Sequence, residues 1–146
     1  MCPTAFHIER KLGYMKITTG VDIIEVDRIK NAIEDLGDNF LNRIYTKREI
    51  DYCNKAEMLK YQRYAAGFAA KEAVFKAISE FINGREDALW KEIEMISSFG
   101  EKPVINVEKI KDKMKKTAYS LELKQIDISI SHIKDYAVAS VVAVFE

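Results

Sequence analysis

Glu72 sits in the run GFAAKEAVFKAI, where the neighbouring residue types make its charge conspicuous. Written on a helix, Ala65, Phe68, Glu72, Phe75, Ser79 and Ile82 share one stripe at spacings of three and four. That stripe predicts a carboxylate between two phenylalanines on the face that meets the core. Burying an unpaired charge costs several kcal/mol, so Glu72 needs a cation, a strong donor set or protonation. Lys76, four residues on, offers the ordinary answer of a helix ion pair. Asp22 is an acid at the end of the apolar run GVDII, and it fits a helix cap or turn as well as a functional carboxylate. His132, one of two histidines, follows Ser129 and Ser131 at the tip of a predicted hairpin. A loop histidine is usually solvated and idle, yet an imidazole also suits phosphate binding or proton transfer. Two carboxylates, a lysine and a histidine form a set for phosphoryl chemistry. Oxygen ligands hold Mg²⁺, the metal neutralises phosphate charge, and Lys and His steady what remains. Spacing alone does not say whether the four meet in space.

The elements that must position them can be read in order. Residues 15–24 (MKITTGVDII) are β-branched and predict a strand ending near Asp22. Val26, Ile29, Ile33 and Leu36 make one apolar helix face, and Gly37 is a natural stop. Thr46 and Glu49 have capping-box spacing, which predicts a second helix carrying Ile50, Cys53 and Leu59. A third helix spans about Tyr61–Phe81 and ends at Asn83-Gly84. Residues 91–97 and 104–107 predict two strands joined by the turn at 99–103. Residues 108–118, rich in lysine, predict a surface helix. Ile126, Ile128 and Ile130 alternate with polar residues, and after a break at 132–135 the run Tyr136–Phe145 is almost continuously apolar. The fold class is therefore α+β, with a mainly antiparallel sheet packed with helices.

Composition narrows the function classes. The 146 residues fit a single domain at 15–146, with residues 1–14 as an N-terminal extension, a cloning remnant or an upstream start. Acidic and basic residues balance at 23 each, so no strongly basic surface for nucleic acid is indicated. The two cysteines lie far apart, without metal spacing, which fits a reducing, cytoplasmic compartment. There is no apolar run long enough to span a membrane and no signal-peptide core at the N-terminus.

Three blocks, GVDIIEVDRI at 20–29, FAAKEAVFKAI at 68–78 and SISHIKDYAVASVV at 129–142, together resemble the holo-[acyl-carrier-protein] synthase family of 4′-phosphopantetheinyl transferases. The resemblance runs from Met15 to the C-terminus, with the blocks in the family's order. It implies the 4′-phosphopantetheinyl transferase fold and Mg²⁺-dependent transfer of 4′-phosphopantetheine from coenzyme A to a serine of apo acyl carrier protein, releasing adenosine 3′,5′-bisphosphate. By that resemblance Asp22 and Glu72 are the Mg²⁺ ligands, Lys76 contacts the phosphates, and His132 lies beside the reacting phosphate. Glu72, Lys76 and His132 are thereby the catalytic set, with Lys76 and His132 also binding coenzyme A. The resemblance also implies that Arg28 and the helix beginning there receive the acidic carrier, and Arg43 is a basic side chain near that helix expected to join in docking. The family also implies a role in fatty acid biosynthesis and a homotrimer with sites between subunits. The Tyr136–Phe145 strand suits either such an interface or a simple core position.

Two departures stand out. Gly67 occupies a position that is usually basic in the family, and Arg63 is the nearby residue that could replace it. The segment after the KEA helix reads SEFINGREDALW where the family is Gly-rich. The serine proton has three candidate acceptors: Glu72, His132 or a water on the metal. A non-catalytic module that binds coenzyme A or carrier is the alternative, and retention of Asp22, Glu72, Lys76 and His132 argues for the enzyme.

Overall fold

The computed structural model describes residues 14–83, 85, 89–98, 100–114 and 121–146. Its frame is a three-stranded antiparallel sheet in the order β1 (Lys16–Glu25), β5 (Tyr136–Phe145), β4 (Leu123–His132). Opposed residues of an antiparallel pair share a face, so the register separates the two sides of the sheet. Gly20, Asp22 and Ile24 lie opposite Val141, Ala139 and Ala137, which in turn oppose Ile128, Ile130 and His132. These residues form the inner face. The nearly continuous apolar run of β5 thus splits by alternation: Ala137, Ala139, Val141, Ala143 and Phe145 are buried, while Tyr136, Ser140 and Val142 are exposed.

Helix α4 (Lys60–Ile78) lies on the inner face, followed by a 3₁₀ turn at Ser79–Phe81. Its buried surface is mostly alanine: Ala65, Ala66, Ala69, Ala70, Ala73 and Ala77, with Val74 and Ile78. Small side chains on both partners let the backbones approach closely. Gly20 shows how closely, because a Cβ there would collide with the carbonyl of Ala73. Thr18 Oγ1 donates to Ala77 O at 2.5 Å along the same seam.

Helix α1 (Val26–Leu36) buries Val26, Ile29 and Ile33 as expected and stops at Gly37, whose φ is +55°. Leu36 departs from its expected face and is 59% exposed. A short helix α2 (Asp38–Ile44), not expected from the sequence, follows at once and buries Leu41 and Ile44. The capping box at Thr46 and Glu49 is formed and opens α3 (Lys47–Asn54). Leu59, expected on that helix, instead precedes α4 and is exposed. Strands β2 (Glu94–Ile96) and β3 (Val104–Asn106) pair antiparallel as a separate ribbon. They are shorter than the sequence suggested. A short helix α5 (Glu108–Lys111) follows, and the rest of the expected 108–118 helix beyond Met114 lies outside the described residues. So do residues 1–13 of the N-terminal extension, Gly84 at the helix end, residues 86–88 of the following loop and Phe99 of the turn.

The expected core stripe of α4 holds only at its ends, where Ala65 and Ile82 are buried. Phe68, Glu72 and Phe75 are only half-buried and Ser79 is exposed, because the alanine face took the sheet and turned the middle of the stripe to the rim. No helix among the described residues is long and apolar enough to cross a membrane.

Candidate active site

Asp22 is carried on the inner face of β1, where Gly20 has brought the strand against α4. Its Oδ1 accepts a hydrogen bond from Lys76 Nζ at 3.0 Å, and the same ammonium donates to Val21 O at 2.9 Å. Lys76 is itself half in solvent, so this pair contributes roughly 1 kcal/mol at most. Glu72 stands one helical turn before Lys76, on the same side of α4. One oxygen of its carboxylate, Oε1, accepts a hydrogen bond from Trp90 Nε1 at 3.1 Å. Asp22 and Lys76 therefore meet where β1 crosses the last turns of α4, with the Glu72 carboxylate one turn earlier on the same helix.

A buried pair supports this turn from behind. Lys71 is fully buried, and its Nζ lies 2.9 Å from Glu49 Oε1. It also donates to Trp90 O at 2.6 Å and Ile93 O at 2.5 Å. Glu49 in turn accepts from the backbone amides of Thr46 and Met95, both at 2.8 Å. Loss of hydration pulls the Lys71 ammonium below its usual value, while the Glu49 charge pushes the other way. Neither this buried pairing nor the part played by Trp90 is legible in the sequence: the Thr46–Glu49 spacing marks Glu49 only as a capping residue, and Lys71 differs from its neighbours by nothing that spacing reveals.

The indole of Trp90 packs against Phe68 with ring centroids 6.1 Å apart, and the Arg43 guanidinium lies 5.9 Å from the indole centre. These residues line a groove of about 260 Å³ with Ile24, Arg28, Ile29 and Phe40. The two arginines singled out from the sequence thus share one groove, which has an apolar floor and abuts Glu72 through Trp90.

His132 is placed elsewhere. It is the last residue of β4 rather than a loop residue, and it opposes Ala137. Strand β5 lies between it and β1, and it stands one inner-face row beyond Asp22. Two strand spacings put the two backbones roughly 10 Å apart or more. His132 instead borders a second cavity, of about 200 Å³, with Tyr52, Arg63, Met95, Glu101 and Pro103. Arg63 is held there by a 2.9 Å bond from Nη1 to Tyr52 O, its guanidinium 4.3 Å from the Tyr52 ring centre. Gly67 faces Tyr45 and Met95, and Arg63, one turn upstream on α4, brings a cation to the cavity of His132. Within one chain, then, Asp22 meets Lys76 one turn from Glu72, Arg28 and Arg43 share the groove walled by Trp90, and His132 stands apart with Arg63.

The donor set suits a particular kind of metal. Among the described residues no group of three or more His, Cys, Asp or Glu forms a metal cage. Mg²⁺ is held in most phosphoryl-transfer sites by one or two carboxylates, the rest coming from phosphate oxygens and water. Asp22 and Glu72 are hard oxygen donors of that kind. Cys53 is not a candidate ligand or nucleophile, since burial and then the Glu49 charge push its thiol up to about 12.

Residues 18–141 match the family model of the 4′-phosphopantetheinyl transferase superfamily. The chain is 44% identical over 125 residues to a holo-[acyl-carrier-protein] synthase of Ruminiclostridium cellulolyticum, covering 86% of this chain and 90% of that one. Among solved structures, the holo-[acyl-carrier-protein] synthase of Neisseria meningitidis superposes with a TM-score of 0.70 at 26% identity, over 86% of this chain and 96% of that one. That of Bacillus anthracis, solved in complex with CoA (3′,5′-ADP), gives a TM-score of 0.63 at 30% identity, over 89% and 97%. The chain belongs to the 4′-phosphopantetheinyl transferase superfamily, among its holo-[acyl-carrier-protein] synthases.

Proposed function

We propose that this chain transfers the 4′-phosphopantetheine group of coenzyme A to a serine of apo acyl carrier protein. The observation that carries the reading is the convergence of Asp22 with the Glu72–Lys76 turn, beside a groove that presents two arginines. The serine oxygen attacks the pantetheine-side phosphorus of the coenzyme A diphosphate. A new P–O bond forms to serine, the P–O bond to the nucleotide breaks, and adenosine 3′,5′-bisphosphate departs. The serine proton passes to a base, for which Glu72 and His132 are the side-chain candidates.

Asp22 and Glu72 would hold Mg²⁺, which supplies charge neutralisation at the diphosphate when bound. Lys76 places an ammonium beside Asp22, fixed by two acceptors, and so adds a second positive centre facing the same phosphates. Arg28 and Arg43 give the acidic carrier a cationic rim around an apolar floor. These roles follow electrostatic preorganisation, which carries most of the acceleration in phosphoryl transfer.

His132 joins the reaction from a neighbouring subunit in this reading. The outer sheet face supports self-association: Val21 is 60% exposed, Ile23 66% and Val142 42%, and Ile17 and Tyr136 extend the same apolar surface. Apolar surface of that continuity marks an interface more often than a solvated face. A homotrimer closed on this face, working in fatty acid biosynthesis in the cytoplasm, is the assembly we infer.

The test is a mass-shift assay with apo acyl carrier protein, coenzyme A and Mg²⁺. The carrier is expected to gain the mass of phosphopantetheine, and addition of EDTA is expected to stop it. Coenzyme A binding without any mass gain would leave only the non-catalytic binding module.

A further inference from the structure

Trp90 is held at both ends by consecutive residues of one helix. Lys71 Nζ donates to its carbonyl at 2.6 Å, and its indole Nε1 donates to Glu72 at 3.1 Å. Lys71 and Glu72 are neighbours in sequence but point about 100° apart around α4. One reaches inward to the backbone of the 89–93 segment, and the other lies at the rim under the indole. The indole face meanwhile forms the wall of the groove that carries Arg28 and Arg43. A half-buried indole N–H commonly finds an acceptor, but here the acceptor is the carboxylate one helical turn before the lysine that binds Asp22.

We infer that Trp90 is a positioning residue: its N–H fixes the Glu72 carboxylate for the divalent cation, and its ring links that carboxylate to the carrier groove. This rests on the reading of Glu72 as a cation ligand given above. A hydrogen bond to a charged group restricts how the carboxylate turns, so removing it should weaken cation binding rather than unfold the chain. A purely packing role for Trp90 predicts the opposite pattern.

The chain has a single tryptophan, so the N–H can be removed without touching any other site. Trp90→Phe keeps an aromatic ring, and biosynthetic replacement of tryptophan by benzothienylalanine keeps the bicyclic shape while exchanging N–H for sulfur. Mn²⁺ serves as the probe, its binding to the full-length protein with coenzyme A followed by electron paramagnetic resonance. Both proteins should bind Mn²⁺ about tenfold more weakly than wild type, with Tm nearly unchanged. The Mg²⁺ activation constant should rise in parallel, while the coenzyme A KM should change less than about twofold. Binding of Mn²⁺ within about twofold of wild type in the benzothienylalanine protein overturns the inference. Glu72→Gln separates the two levels. If it binds Mn²⁺ as wild type does, the ligand reading of Glu72 is wrong and the role of Trp90 falls with it. If it loses Mn²⁺ while both Trp90 replacements retain it, only the positioning role is lost.

Discussion

Gly20 passes the carbonyl of Ala73 at a separation that no side chain can share. A Cβ at position 20 would fall inside van der Waals contact with Ala73 O and would also press on its carbonyl carbon and on Ala77 N. Because the obstructing atoms are helix backbone, relief requires moving the whole strand away from α4. Asp22 lies two residues along and reaches Lys76 across that same seam. The glycine is therefore the spacer that brings the acid to the lysine.

Gly20→Ala is expected to lower stability by about 1–3 kcal/mol, the usual range for overpacking a tight contact. It should also lower activity far more than a surface substitution does, by widening the gap between Asp22 and Lys76. Thermal unfolding together with kcat measured on the remaining folded protein checks both parts. An active, normally stable Gly20→Ala protein would contradict the packing argument.

Lys71→Met should be costly for a different reason. It leaves the Glu49 carboxylate buried without its cation, although the amides of Thr46 and Met95 still serve it. Breaking one side of a buried pair typically costs about 3–5 kcal/mol, and the two amides place this one near the lower end. Replacing both partners, as Lys71→Met with Glu49→Gln, should recover part of the loss. Urea unfolding of the two single variants and the double variant measures the coupling, and strict additivity would show that the two groups do not interact.

Separation of His132 from Asp22 within one chain makes a prediction about mixtures. Asp22→Asn and His132→Ala should each be nearly inactive. If sites form between subunits, refolding them together in equal amounts should restore up to about a quarter of wild-type activity through mixed assemblies. Ile23→Asp, on the exposed outer face, should give a smaller species in analytical ultracentrifugation and no activity. An active monomer would place the whole site within one chain.

Arg28 and Arg43 border the groove at its rim, where charge acts mainly on the association rate. Arg28→Glu should raise the carrier KM several-fold and leave the coenzyme A KM close to wild type. Attraction between exposed charges is screened over roughly 10 Å at 0.1 M salt, so added salt should weaken carrier recognition in wild type and less in the variant. A carrier KM indifferent to both changes would remove this helix from the docking surface.

The sequence by itself determined most of the elements, though not α2, and singled out candidate positions for chemistry, because the signals for both are local. Branched residues and alternation define β1 and the β4–β5 hairpin, the Thr46–Glu49 box starts α3, and the three blocks name Asp22, Glu72, Lys76 and His132. Tertiary structure decided which face of α4 is buried. That helix is apolar on more than one side, and the sheet selected the alanine face because only small residues allow the close approach seen at Gly20. Glu72 thus moved from an expected core position to the rim, where Trp90 could meet it across 18 residues of chain. Burial of Lys71 was equally invisible, since its compensation comes from Glu49 and from two carbonyls distant in sequence. The strand order β1-β5-β4 placed β5 between Asp22 and His132. Strand order is a property of long-range pairing, and no local pattern encodes it.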